Sequence, residues 1–106
     1  MINALLVCNQ GMSTNVMRQK IEEEAARRGV ELTISAAGVN ALDRYISTLD
    51  VVLLAPQIRY TEPTVRALLD KTRPEVKLIN IPPADYGMMR GDHVLDEMIA
   101  AVGGGE

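Results

Sequence analysis

Apolar and polar positions along the chain switch between two rhythms. Ile2 to Val7 (INALLV) is a short, nearly continuous apolar run, the pattern of a strand buried on both faces. From Ser13 the rhythm lengthens. Met17, Ile21 and Ala25 recur every fourth residue, with Arg18, Lys20, Glu22, Glu23 and Arg27 on the remaining surface, which predicts an amphipathic helix. The basic pair Arg27-Arg28 followed by Gly29 marks its end. Val30 to Ala36 (VELTISA) alternates and predicts a second strand. After Gly38, the spacing of Val39, Leu42, Ile46 and Leu49 predicts a short amphipathic helix. Val51 to Leu54 (VVLL) is a third buried strand, closed by Ala55-Pro56. Thr61 is placed to cap the next helix, with Pro63 in its first turn and Val65, Leu68 and Leu69 on its apolar side. Val76 to Ile81 (VKLINI) is the fourth strand, stopped by Pro82-Pro83. Asp92 is expected to cap a last helix whose apolar face is Leu95, Met98, Ile99 and Val102, and Gly103 to Glu106 form a frayed end.

Strands that alternate with helices imply parallel pairing through right-handed crossovers. The expected fold is α/β: a four-stranded parallel sheet in a flavodoxin- or Rossmann-like three-layer sandwich, with helices on both faces. A chain of 106 residues supplies one hydrophobic core, so residues 1–106 are expected to form a single domain. In such folds a ligand sits beyond the carboxyl ends of the strands, where strand order reverses. For the flavodoxin-like order that place lies between the first and third strands.

Composition narrows the function. Hydrophobic residues make up 47% of the chain, with no Phe and no Trp, so the core is built from Leu, Ile, Val, Met and Ala. A formal net charge of -3 argues against nucleic acid as a partner. The single cysteine excludes an internal disulfide, a CxxC redox pair and a multi-cysteine zinc site. No metal-ligand cluster stands out, and neither a metal nor another cofactor is expected. The N-terminus lacks the pattern of a secretory signal, and no stretch approaches the roughly 20 apolar residues of a spanning helix. A cytoplasmic setting is expected.

The chemistry concentrates at Cys8. It falls at the carboxyl end of the first strand, and Asn9, Gln10, Gly11, Met12, Ser13, Thr14 and Asn15 lead into the helix. Backbone N–H groups of such a loop, with the dipole of the following helix, stabilise an anion. A thiolate is an anion, so the same place favours a nucleophilic cysteine. Ser13 and Thr14 add hydroxyl donors, and Gly11 allows close approach of a ligand. A cysteine ahead of an anion loop suggests phosphate chemistry through a phosphocysteine. Protein tyrosine phosphatases use a C-x5-R-[ST] loop in which the arginine clamps the phosphoryl group. Here the sixth position after Cys8 is Thr14, and the nearest arginine is Arg18, a turn further on. Without that clamp hydrolysis loses its strongest stabiliser, and the site is left to hold a phosphoryl group and pass it on. Thr14→Arg is the single change that would restore the clamp.

These residues resemble a known family. Cys8-Asn9-Gln10-Gly11-Met12-Ser13-Thr14 is similar to the C-x-x-G-M-S-[ST] phosphorylation loop of the IIB components of the bacterial phosphotransferase system (PTS), lactose/cellobiose type. Asp50 to Tyr60 (DVVLLAPQIRY) resembles that family's D-V-V-L-L-[GA]-P-Q-I-x-Y segment, and Asp85-Tyr86-Gly87 its tyrosine–glycine turn after the fourth strand. The resemblance runs over essentially the whole chain. It implies a phosphoryl carrier: Cys8 would accept the group from a phosphohistidine of a IIA protein. It would then pass the group to a β-linked disaccharide, such as cellobiose, chitobiose or lactose, bound by the membrane permease IIC. It also implies a fold similar to low-molecular-weight tyrosine phosphatases. A carrier docking on two partners in turn is expected to be a monomer.

Other residues carry weaker signals. Gln57 and Tyr60 follow the third strand and are expected to border the site. His93 falls at the start of the last helix, with nothing to place it near Cys8, and is expected to be solvated. Asp85 invites comparison with the general acid of the phosphatases, but reads more simply as a turn residue. Met12, Met88 and Met89 are candidates for an apolar rim that meets a protein partner. Two other classes remain as alternatives, a small cysteine phosphatase and a non-catalytic anion-binding regulatory domain.

Overall fold

The structure, a computed structural model, describes residues 1–9 and 12–103, Met12 and Ser13 through their backbone alone. The expectations placed on Gln10, Gly11, the side chains of Met12 and Ser13, and the frayed end 104–106 lie outside the described residues.

Four strands form the sheet: β1 (Ile2–Val7), β2 (Leu32–Ala37), β3 (Val51–Leu54) and β4 (Lys77–Asn80). All pairs are parallel, in the order β2-β1-β3-β4. The registers align Val7 with Ala37 and Leu54, and Leu54 with Asn80, so the carboxyl ends of all four strands finish level. The helices are α1 (Met12–Arg28), α2 (Leu42–Tyr45), α3 (Glu62–Thr72), α4 (Pro83–Gly87) and α5 (Gly91–Val102). The chain leaves β1 for β2 on one side and returns past β1 to β3 and β4. Right-handed crossovers therefore put α1 on one face and α2 and α3 on the other. α5 packs beside α1, completing three layers.

The apolar rhythms bury as predicted. Leu5, Leu6 and Val7 of β1 and all of β3 are sealed, as are Met17, Ile21 and Ala25 of α1. Gly29 ends α1 at a positive φ of 72°, and the Val30 N–H donates to the Ala25 carbonyl at 2.8 Å. β2 is an edge strand and starts later than its alternation suggests. β4 is trimmed at both ends, although Val76 and Ile81 are still buried.

Three expectations are corrected. The helix from Val39 to Leu49 is broken into a 3-10 turn (Val39–Ala41), α2 and a second 3-10 turn (Ile46–Thr48). The Thr48 hydroxyl competes with helical bonding there by donating to the Tyr45 carbonyl at 3.2 Å. Arg73 then satisfies the carbonyls that the break leaves open, donating to Ile46 at 2.9 Å and Ser47 at 2.5 Å. Thr61 precedes α3 but does not cap it; its hydroxyl donates to the Ile58 carbonyl at 2.6 Å. Asp92 lies inside the first turn of α5, which starts at Gly91 without a side-chain cap.

The α1–α5 seam is polar at its rim. Arg28 reaches Asp96 of α5 at 2.6 Å and Glu24 at 2.6 Å, and Arg27 also pairs with Glu24. Hydrogen bonds from Arg27 and then Arg28 hold the Glu24 carboxyl well below its ordinary 4.5, at about 2. A depressed carboxylate stabilises the fold above its unfolded pKa and loses that contribution as pH falls through the folded one. Glu24→Gln is therefore expected to lower the urea midpoint at pH 7, with the gap to the parent closing between about pH 4.5 and pH 2. Equal midpoints at pH 7 would show that solvent screens the pair completely.

Candidate active site at the carboxyl end of strand β1

Cys8 follows directly on β1, a central strand, and is held by the sheet itself. Its N–H donates to the Ala37 carbonyl at 3.0 Å, extending the β1–β2 ladder by one residue. On the other side the Ala55 N–H donates to the Val7 carbonyl at 3.0 Å. Cys8 is 5% exposed. It thus sits where β1 separates β2 from β3, at the reversal of strand order.

A cavity of about 410 Å³ opens beside the thiol, lined by Cys8, Asn9, Gly38, Val39, Asn40, Tyr60 and Thr61. Three connections build it: the turn after β1, the turn after β2, and the 3-10 segment Pro56–Thr61 after β3. Tyr60 is 75% exposed at the rim, as expected for a residue bordering the site. Gln57 shares that segment but points to solvent and does not line the cavity. Gly38, Val39 and Asn40 were missed by sequence reasoning. Their only available signal was position, directly after the strand that neighbours β1.

Met12 to Asn15, grouped with the phosphate-binding loop, form the first turn of α1, which starts one residue ahead of the helix expected from Ser13. Asn15 is exposed. Thr14 is 4% exposed, and its hydroxyl lies 3.2 Å from the Tyr86 hydroxyl of α4, itself on a residue 5% exposed. Beside the Cys8 thiol and the Tyr86 phenol, Thr14 is the one buried polar side chain among the described residues. The sequence quoted Thr14 and Tyr86 in separate motifs; nothing in a separation of 72 residues joins them.

The remaining candidates have other duties. Arg18 is paired with Glu22 at 3.0 Å along α1. Asp85, mostly buried, receives Arg90 at 3.5 Å and faces His93 at 3.2 Å, so it braces the α4–α5 corner. His93 is half-exposed, as expected of a solvated residue, and its imidazole also faces Asp85 at 3.2 Å. Met88 is exposed on the same corner, and Met89 takes a positive φ of 51° to make the turn into α5.

The fold and the thiol's place in it define a class: α/β proteins that keep a cysteine at the switch point of a parallel sheet, ahead of a helix N-terminus. Residues 3–97 match the family described as PTS system, Lactose/Cellobiose specific IIB subunit. A galactose-specific EIIB component from Lactococcus lactis subsp. cremoris (strain MG1363) is 33% identical over 95 residues, covering 85% of this chain and 86% of its own. The solution structure of a cellobiose-specific phosphotransferase IIB component from Borrelia burgdorferi superposes with a TM-score of 0.79. Its identity to this chain is 35%, and the match covers 96% of this chain and 92% of that one. The lactose-specific IIB domain from Streptococcus pneumoniae shares the fold, with a TM-score of 0.82 at 16% identity over 94% of this chain and 96% of that one. The chain belongs to the lactose/cellobiose-specific IIB family, sugar-specific PTS components that act as phosphotransferases in sugar uptake. No described helix is long and apolar enough to cross a membrane.

Proposed function

We propose that the chain, residues 1–106 as one domain, is a phosphoryl carrier in which Cys8 holds the transferred group. The Cys8 thiolate attacks the phosphorus of a phosphohistidine on a IIA protein; the P–N bond breaks as the P–S bond forms. In the second step a hydroxyl of a sugar bound by the permease IIC attacks the same phosphorus. The P–S bond breaks, the thiolate leaves and the hydroxyl proton passes to solvent. Asn9 to Asn15 supply the backbone N–H groups that neutralise the phosphoryl oxygens, aided by the dipole of α1. The observation that carries this reading is a single cysteine, level with the strand ends, opening on a cavity directly ahead of a long helix. A β-linked disaccharide is the proposed acceptor, in keeping with the cellobiose-specific name of the Borrelia burgdorferi relative.

The test is intact-protein mass after incubation with phosphoenolpyruvate, the general phosphotransferase proteins and a IIA protein. One phosphoryl adduct is expected on the parent and none on Cys8→Ser. An adduct that persists on Cys8→Ser would move the acceptor elsewhere. No adduct with several IIA proteins, together with turnover of an aryl phosphate, would replace the carrier by a phosphatase.

A further inference from the structure

We infer that Tyr86 is a positioning residue for the phosphoryl site, acting through Thr14. The inference rests on the carrier reading above for the reaction it serves, and on the structure alone for the contact. Thr14 is the third residue of α1. The N–H groups of a helix's first turn have no intrahelical acceptor, and they are the groups that face an anion bound there. Whatever fixes the rotation of that turn fixes the aim of those donors. The Thr14 and Tyr86 hydroxyls, 3.2 Å apart, are both buried. Each carries one proton, so one donates while the other accepts.

Tyr86 is presented from a base that does not depend on this contact. Its own N–H donates to the Pro82 carbonyl at 3.0 Å, and the Arg90 N–H donates to the Asp85 carbonyl at 2.8 Å. The Asp85 carboxylate gathers Arg90 and His93. Gly91, next along the chain, lies against the α1 backbone at Lys20 and Ile21. α4 is thereby anchored to α5 and to the middle of α1, and Tyr86 extends that anchorage to the first turn. The Tyr86 hydroxyl sets where the first turn stands relative to the end of β1, and with it the approach of the donors to a group on Cys8.

Tyr86→Phe and Thr14→Val each remove one hydroxyl and keep the shape. Neither residue lines the cavity or the exposed surface, so docking of a phosphorylated IIA protein should be unaffected. The expected result is a KM for IIA within about twofold of the parent and a kcat lowered by roughly tenfold in each variant, the scale of a small misplacement of reacting groups. The double variant should be no slower than Tyr86→Phe alone, because the bond that Thr14→Val removes is already lost there. Thr14→Ser, which keeps the hydroxyl, should restore the parental kcat. A parental kcat in Tyr86→Phe, or losses that multiply in the double variant, would overturn the inference. The rate of Cys8 alkylation by iodoacetamide across pH gives a reading without partners. Tyr86→Phe and Thr14→Val should shift that profile in the same direction and Thr14→Ser should not; no shift in Thr14→Val, or shifts of opposite sign, would overturn the tether. If the parent takes no phosphoryl group at all, the carrier reading falls, while the alkylation profiles still decide the tether.

Discussion

Gly91→Ala is expected to destabilise the fold by about 1–3 kcal/mol, the usual cost of forcing extra volume into a packed interior. A Cβ at position 91 would lie 2.6 Å from the carbonyl carbon of Lys20, 2.7 Å from its oxygen and 2.8 Å from the Ile21 nitrogen. These are backbone atoms in the middle of α1, and no rotamer change moves them aside. The α1–α5 pair must separate, lifting Met17, Ile21, Leu95 and Met98 from positions where each is now fully buried. The better helix propensity of alanine offsets only a fraction of this. Gly29 shows the contrast: its positive φ demands glycine, yet nothing lies within 4 Å of where its Cβ would be. Thermal melting is the measurement, and a midpoint lower by several degrees is expected for a domain of this size. An unchanged midpoint would show that the two helices part freely and that the close approach at Gly91 contributes nothing.

What the sequence made legible follows from how local each cause is. β1 and β3 are continuous apolar runs because both faces of a central parallel strand are covered, and they were read at their observed bounds. The four-residue spacing of Met17, Ile21 and Ala25 found the buried stripe of α1 for the same reason. The place of Cys8, between β1 and α1, could be read because the end of a strand and the start of a helix leave marks in adjacent residues. The failures come from causes that are not local. Arg73 closes the carbonyls of the broken 3-10 segment from 24 to 27 positions away, so apolar spacing alone overstated a helix there. Gln57 and Tyr60 stand three residues apart, but a kink at Ile58 (φ -118°, ψ 23°) turns the segment so that Tyr60 reaches the cavity and Gln57 faces water. Thr14 reads as one more hydroxyl in an anion loop until Tyr86 is brought against it by the fold.

That last contact reverses the most inviting engineering experiment. By spacing from Cys8, Thr14→Arg places a guanidinium where phosphatases keep their clamp, and phosphate hydrolysis is the effect a sequence comparison would forecast. In the structure the Thr14 side chain is enclosed and turned toward Tyr86. An arginine following that path would bring a charge out of water into a site shaped for one hydroxyl. The nearest carboxylate on α4, Asp85, is already engaged by Arg90 and His93. An uncompensated buried charge costs several kcal/mol, and the added volume costs more. Thr14→Arg is therefore expected to lose on the order of 3 kcal/mol or more in urea unfolding and to show no turnover of an aryl phosphate. A folded variant that hydrolyses the aryl phosphate would mean the side chain leaves the α1–α4 contact and reaches the end of β1. In that case the missing arginine alone separates a carrier from a phosphatase. If the loss of stability occurs as expected, the separation is built into the fold, because the residue six places after the cysteine is committed to holding the first turn of α1.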